Sequence, residues 1–190
     1  MIEDLLARLV KALAADRIPY MLIGGQAVLF HGHPRLTQDV DVTLGVDTDA
    51  VATILAVCRR AGLQPLVKQP QAFARDTHVL PVRDGRSGLR VDLVFSNTPY
   101  ERQAISRARR ATIGRASVRF ASLEDIIIHK LVAGRPVDIE DVRVLMAKHH
   151  GRIDARYVRR WLKQFTAMGT LPHDPLVTFN RLYRGASSAS

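Results

Sequence analysis

The chain has 190 residues, 47% of them hydrophobic, which suffices for a sizeable core as one domain or as a catalytic unit with a small appendage. No apolar run approaches the ~20 residues of a membrane span and no signal peptide is visible at the charged N-terminus, so a soluble, cytoplasmic protein with no membrane partner is expected. The formal charge of +10 is uneven: residues 1–99 hold 11 Lys and Arg against 10 Asp and Glu, residues 100–190 hold 17 against 8, and an excess of that size favours a polyanionic partner, nucleic acid first.

Taken in order, Ile2 to Ala15 repeats Ile2, Leu5, Leu6, Leu9, Val10 and Leu13 at helical spacing, and such a stripe covers a sheet. Tyr20 to Ile23 is a short apolar run that ends on Gly24-Gly25, as a buried strand entering a tight turn does. Gln26 to Phe30 then predicts a helix stopped by His31-Gly32-His33-Pro34. Strand, double glycine and helix together describe a phosphate cradle, because glycine lets the backbone approach an anion and helix-start N–H groups point at it.

Asp39-Val40-Asp41-Val42-Thr43-Leu44 reads as a strand with both carboxylates on one face and the valines on the other. Adjacent like charges need a cation to offset them, and hard oxygen ligands favour Mg²⁺ or Mn²⁺. Asp47-Thr48-Asp49 supplies an N-cap for a helix from Ala50 to Ala61, stopped by Gly62, with the single cysteine, Cys58, as one of its buried residues. Leu66-Val67-Lys68 suggests a short strand, and His78–Val82 with Leu89–Phe95 a hairpin. The second arm of that hairpin carries Asp92, a charge in an apolar run, for which the Asp39/Asp41 site supplies a partner through a shared ion. Three aspartates on neighbouring strands beside a glycine cradle describe a two-metal phosphoryl-transfer centre.

Asn97-Thr98-Pro99 opens a helix to about Arg107, and Ala111–Ile113 and Ser117–Phe120 suggest two more strands. Helices follow from Ser122, an N-cap with an acid three residues on, to Gly134; from Pro136 or Val137 to roughly Lys148; from Asp154 to Met168; and from Asp174-Pro175 to near Gly185. The reading is therefore α/β (α+β): a mixed-sheet catalytic core over 1–120 with flanking helices, a helical part over 121–186 and a disordered tail over 187–190. Lys130, in Ile-Ile-Ile-His-Lys-Leu-Val, needs solvent or a fixed anion for its ammonium. His31, His33 and His129 have no cysteine beside them and do not read as a zinc site.

Gly24-Gly25, thirteen residues, Asp39-x-Asp41 and a later Asp92 resemble the signature of the nucleotidyltransferases of the DNA polymerase β superfamily. Arg35-x-Thr37-x-Asp39-x-Asp41 resembles the version in the minimal nucleotidyltransferases and the AbiEii-type toxins, and the run from Glu124 through Lys130 and Asp138 to Asp141 resembles the helical motif that follows the sheet in the AbiEii-type family. The resemblance implies Mg²⁺-dependent transfer of NMP from an NTP to a hydroxyl acceptor. It implies metal binding by Asp39, Asp41 and Asp92, seating of the triphosphate by Gly24, Gly25, Arg35, Thr37 and Lys130, and a catalytic or positioning role for Asp141. It further implies an RNA end, tRNA first, as acceptor and a cognate antitoxin as partner. Two alternatives stay open: an aminoglycoside or lincosamide nucleotidyltransferase, against which the basic second half argues, and a catalytically silent nucleotide- or RNA-binding module, against which the three aspartates argue.

Overall fold

A computed structural model describes residues 1–34, 36–37, 39–96 and 98–187. The chain divides into two compact units, Met1–Gln26 with Leu36–Ala121, and Ala27–Arg35 with Ser122–Ser190. The linear reading placed one boundary near residue 121; the spatial grouping adds a nine-residue excursion, 27–35, to the second unit.

The first unit is a mixed sheet of seven strands among the described residues, β1 (Tyr20–Ile23), β2 (Asp39–Leu44), β3 (Leu63–Pro65), β4 (Val79–Asp84), β5 (Arg90–Phe95), β6 (Arg109–Ile113) and β7 (Ala116–Phe120), in the order β3-β4-β5-β2-β1-β7-β6. Two pairings, β2 with β5 and β1 with β7, are parallel and the others antiparallel. Leu22, Val40, Val42, Val91 and Leu93 are almost wholly buried, together with Leu5, Leu9 and Leu13 of α1 (Ile2–Ala15). Between β1 and β2 runs α2 (Gly24–Phe30); α3 (Val51–Ala61) adds Val51, Ile54 and Val57 to the core. Buried area of this kind is the main term favouring the fold, at ~25 cal/mol per Å².

Two local expectations are corrected and one helix is added. Leu66–Lys68 is not a strand: β3 lies three residues earlier, where Leu63 is buried and pairs with Asp84, while Leu66 and Lys68 are exposed. Residues 70–77 form a helix, α4 (Pro70–Thr77), that the sequence reading left unassigned, with Pro70 at a first-turn position where its missing N–H costs nothing. Asp47 makes no side-chain cap; a 3₁₀ turn over Thr48–Ala50 intervenes and α3 begins at Val51. By contrast Thr98 caps α5 (Pro99–Arg107), accepting the Glu101 N–H at 3.4 Å.

The second unit packs α6 (Leu123–Ala133) against α7 (Pro136–His149), α8 (Ala155–Ala167) and α9 (Pro175–Ser187). Ser122 starts α6 as expected: its Oγ accepts the Asp125 N–H at 3.2 Å and donates to the Asp125 carboxylate at 2.6 Å, and the Tyr157 hydroxyl donates to the other carboxylate oxygen at 2.7 Å. Gly134 closes the helix in the left-handed conformation that its lack of a Cβ permits. No helix among the described residues is long and apolar enough to cross a membrane.

Candidate active site

Register builds the site. Because β2 and β5 are parallel and aligned, Asp39 pairs with Arg90 and Asp41 with Asp92, so four charged side chains form a block on one face of the sheet. Ligand oxygens of Asp39, Asp41 and Asp92 all lie within 4.8 Å of one another, Asp39 exposed and the other two half-buried. Three carboxylates that converge this closely, with no nitrogen or sulfur ligand among them, suit a hard divalent cation such as Mg²⁺ or Mn²⁺.

Gly24 explains how the backbone tolerates that convergence. It follows Ile23, the partner of Asp41 across β1 and β2, and turns at φ +63°. A Cβ on this residue would stand 1.9 Å from Asp41 Oδ2. A Cβ on Gly25 would stand 2.7 Å from Thr37 Oγ1. The two glycines thus bring backbone directly against Asp41 and Thr37. Gly24→Ala combines a left-handed backbone with a clash at a site carboxylate, and we expect at least a tenfold loss of Mn²⁺ affinity by calorimetry, the equivalent of about 1.4 kcal/mol.

Thr37 orients the first aspartate. Its hydroxyl lies 3.2 Å from Asp39 Oδ1 and 3.1 Å from the Asp39 carbonyl. Arg35, the other residue of this stretch singled out in the sequence, lies outside the described residues.

Sequence reasoning missed Arg90. Its Nε donates to both Asp92 oxygens, at 2.9 and 3.1 Å, and that bond, with the charge of Asp92 and then of Asp39 and Asp41, raises the guanidinium pKa above its ordinary value. The i, i+2 spacing that put Asp39 beside Asp41 also put Arg90 beside Asp92, which was the available signal. Among the described residues Arg90 is thus a cation that offsets the acidic cluster. Replacing it by Gln should strengthen Mn²⁺ binding two- to fivefold, about 0.5–1 kcal/mol for a half-exposed pair; weaker binding would show that Arg90 instead holds Asp92 in a productive orientation.

In the second unit Lys130 and Asp141 meet in a buried network. The Lys130 ammonium lies 2.7 Å from Asp138 and 2.9 Å from Asp141, and is 5% exposed. Arg135 donates to Asp138 at 2.6 and 3.2 Å, and His33 Nε2 stands 3.5 Å from Asp141. Burial pushes the Asp138 carboxyl up, but the bonds from Arg135 and Lys130 outweigh it and hold it below the usual range. The fixed anion that Lys130 required is thus a pair of aspartates eight and eleven residues on, held by α7 against α6. His129, next to it, is kept neutral: burial and then the Lys130 charge lower its pKa to about 4.

Comparison with known proteins supplies the family and the fold. Residues 4–182 match the model of a family described as nucleotidyl transferase AbiEii toxin, type IV toxin–antitoxin system. No curated protein matches the chain. Among solved structures, the antibiotic-resistance factor ANT(2'')-Ia in solution is similar over 88% of this chain and 94% of its own, at 16% identity and a TM-score of 0.60. An antigenic nucleotidyltransferase-like protein from Paracoccidioides brasiliensis covers 77% and 75% at 22% identity and 0.54, and JHP933 from Helicobacter pylori covers 97% and 88% at 20% identity and 0.51. At these identities the likeness is one of fold: a nucleotidyltransferase sheet with flanking helices.

Proposed function

The chain belongs to the AbiEii nucleotidyl transferase toxin family and is a nucleotidyltransferase, and we propose that it transfers NMP from an NTP to a hydroxyl at an RNA end, tRNA first, with Mg²⁺ or Mn²⁺ as cofactor. Membership in a type IV toxin–antitoxin family implies an NTP substrate and an antitoxin partner. The observation that carries the reading is the in-register block of Asp39, Asp41 and Asp92 beside Gly24. The RNA acceptor is supported by the +9 balance of residues 100–190.

In this reading Asp39, Asp41 and Asp92 would hold the divalent cation, which would supply neutralisation of phosphate charge when bound. The acceptor oxygen attacks the α-phosphorus, the bond to the β-phosphate breaks, and pyrophosphate leaves. Asp92 orients the acceptor hydroxyl and takes its proton. For that, Arg90 must release its two bonds to Asp92, after which its guanidinium is free to face phosphate oxygens. Thr37 keeps Asp39 in place, and the backbone at Gly24 and Gly25 seats the triphosphate. Arg35 and Lys130 are assigned to the phosphates, and Asp141 to substrate positioning, on the family motif.

The test is incubation of the protein with Mg²⁺, each α-³²P-labelled NTP separately and total bacterial RNA, followed by denaturing gel separation. A labelled RNA band is the expected result and identifies the preferred base. Label confined to a small molecule on addition of an aminoglycoside or lincosamide would replace the acceptor. NTP binding without any labelled product would replace the enzyme by a silent binding module.

A further inference from the structure

At the end of β1 away from Gly24, the connection from α1 to β1 and the β6–β7 hairpin enclose a cleft of about 370 Å³ lined by Arg17, Ile18, Tyr20, Arg110, Ser117 and Arg119. Its charge is one-sided. Arg110 and Arg119 are register partners across the hairpin, and like charges placed directly opposite in an antiparallel pair repel. Among the described residues no carboxylate pairs with Arg17, Arg110 or Arg119; Asp16, the nearest acid in sequence, is taken by Arg60. Arg119 Nη2 donates to the Ile105 carbonyl at 2.7 Å, but its Nε is buried with no hydrogen-bond partner among the described residues.

Arg17 adds a second, independent sign. It occupies the residue after the α1 C-cap, with its N–H on Ala14 O at 3.1 Å and the Ile18 N–H on Leu13 O at 3.0 Å, a Schellman closure. Its φ is +54°, a conformation for which glycine is the usual choice. Arginine there accepts strain that glycine would avoid and directs a third guanidinium to the cleft.

We propose that this cleft is a phosphate site that grips the sugar-phosphate backbone of the acceptor RNA, a proposal that rests on the RNA-acceptor reading. Guanidinium forks match phosphate oxygens, and contacts of this kind position a strand without reading its bases. The rest of the lining, with Val10, Ala14, Ile18, Pro19 and Tyr20, carries no negative charge to oppose these arginines, which suits the cleft to an anion. Tyr20 and Gly24 are four residues apart, so the cleft and the carboxylate end of β1 are separated by ~13 Å along the strand, roughly four stacked nucleotides at ~3.4 Å each. RNA held here meets the cleft about four nucleotides from its reacting end.

The experiment uses the full chain with Arg17→Gln and Arg110→Gln together, both exposed residues, leaving Arg119 and its bond to Ile105 intact. Fluorescence anisotropy with a labelled single-stranded RNA is expected to show about tenfold weaker binding and a log K against log salt slope shallower by about 1.4, two phosphate contacts at ~0.7 each. Labelling of a dinucleotide acceptor, too short to span, should be unchanged while that of a longer RNA falls. Undiminished RNA affinity and slope overturn the proposal while leaving the RNA-acceptor reading in place, since the parent still labels RNA. Unchanged RNA affinity with lost binding of polyglutamate overturns it in favour of an acidic protein. If the parent neither binds nor labels RNA, the reading beneath it fails as well.

Discussion

Asp39→Ala with Asp41→Ala is expected to lower NMP transfer by at least about 10³-fold while leaving the protein folded. The size follows from the chemistry: phosphoryl transfer depends on positioning and charge neutralisation, and removing one preorganised charge-stabilising group alone typically costs 10²–10³. The fold survives because neither side chain holds the core. Asp39 is exposed and Asp41 half-exposed, whereas the alternate residues Val40 and Val42 on the same strand are buried. The double substitution also removes two of three adjacent negative charges, so the metal-free melting temperature should be unchanged or slightly raised. Gel assay, calorimetry with Mn²⁺ and a thermal melt together decide it. Persistent transfer would move the active site elsewhere; a collapsed melt would turn the aspartates into structural residues.

Lys130→Met is expected to lower stability, in addition to whatever transfer depends on its assignment to the phosphates. It deprives two buried carboxylates, Asp138 and Asp141, of the ammonium they share. Breaking a buried pair by removing one partner costs about 3–5 kcal/mol, and because Arg135 stays on Asp138 we expect the lower end, about 3 kcal/mol. That corresponds to a fall of roughly 6–12 °C in melting temperature for a chain of this size. The pH dependence has a definite sign. Asp138 is depressed in the folded parent, so its contribution is present above the unfolded carboxyl value near 3.9 and is lost as pH falls through the lower folded value. The deficit of Lys130→Met is therefore largest above about pH 5 and shrinks toward pH 2, as the parent loses the same ion pair. A deficit independent of pH would show that Lys130 contributes packing rather than charge.

The two clusters also show why adjacent carboxylates in a sequence cannot be assigned one role. Asp39 and Asp41 sit at a strand period, on a face that reaches solvent, with Arg90 bonded to neighbouring Asp92. Asp138 and Asp141 sit at a helical period, so they share one face of α7, and both are buried on a lysine. Solvent access suits the first pair to an exchangeable ion. Enclosure suits the second to fixing Lys130.

Patterns of period two and 3.6 are local, and for that reason the sequence alone determined the β1–glycine–β2 unit, the hairpin carrying Asp92, the helix opening at Thr98-Pro99, the cap at Ser122, and every long helix. The same locality determined which aspartates face one way, and with the glycines it was enough to point to the nucleotidyltransferase resemblance that the family match bears out. Tertiary structure alone decided that β5 docks parallel to β2 with Asp41 opposite Asp92, since register is set by partners distant in sequence. It decided that Arg90 offsets the carboxylates and that Lys130 sits between Asp138 and Asp141. It also decided that β3 lies at Leu63–Pro65, because an edge strand is defined by the neighbour it bonds to rather than by its own apolar run, and that Arg17, Arg110 and Arg119, spread over a hundred residues, line one cleft.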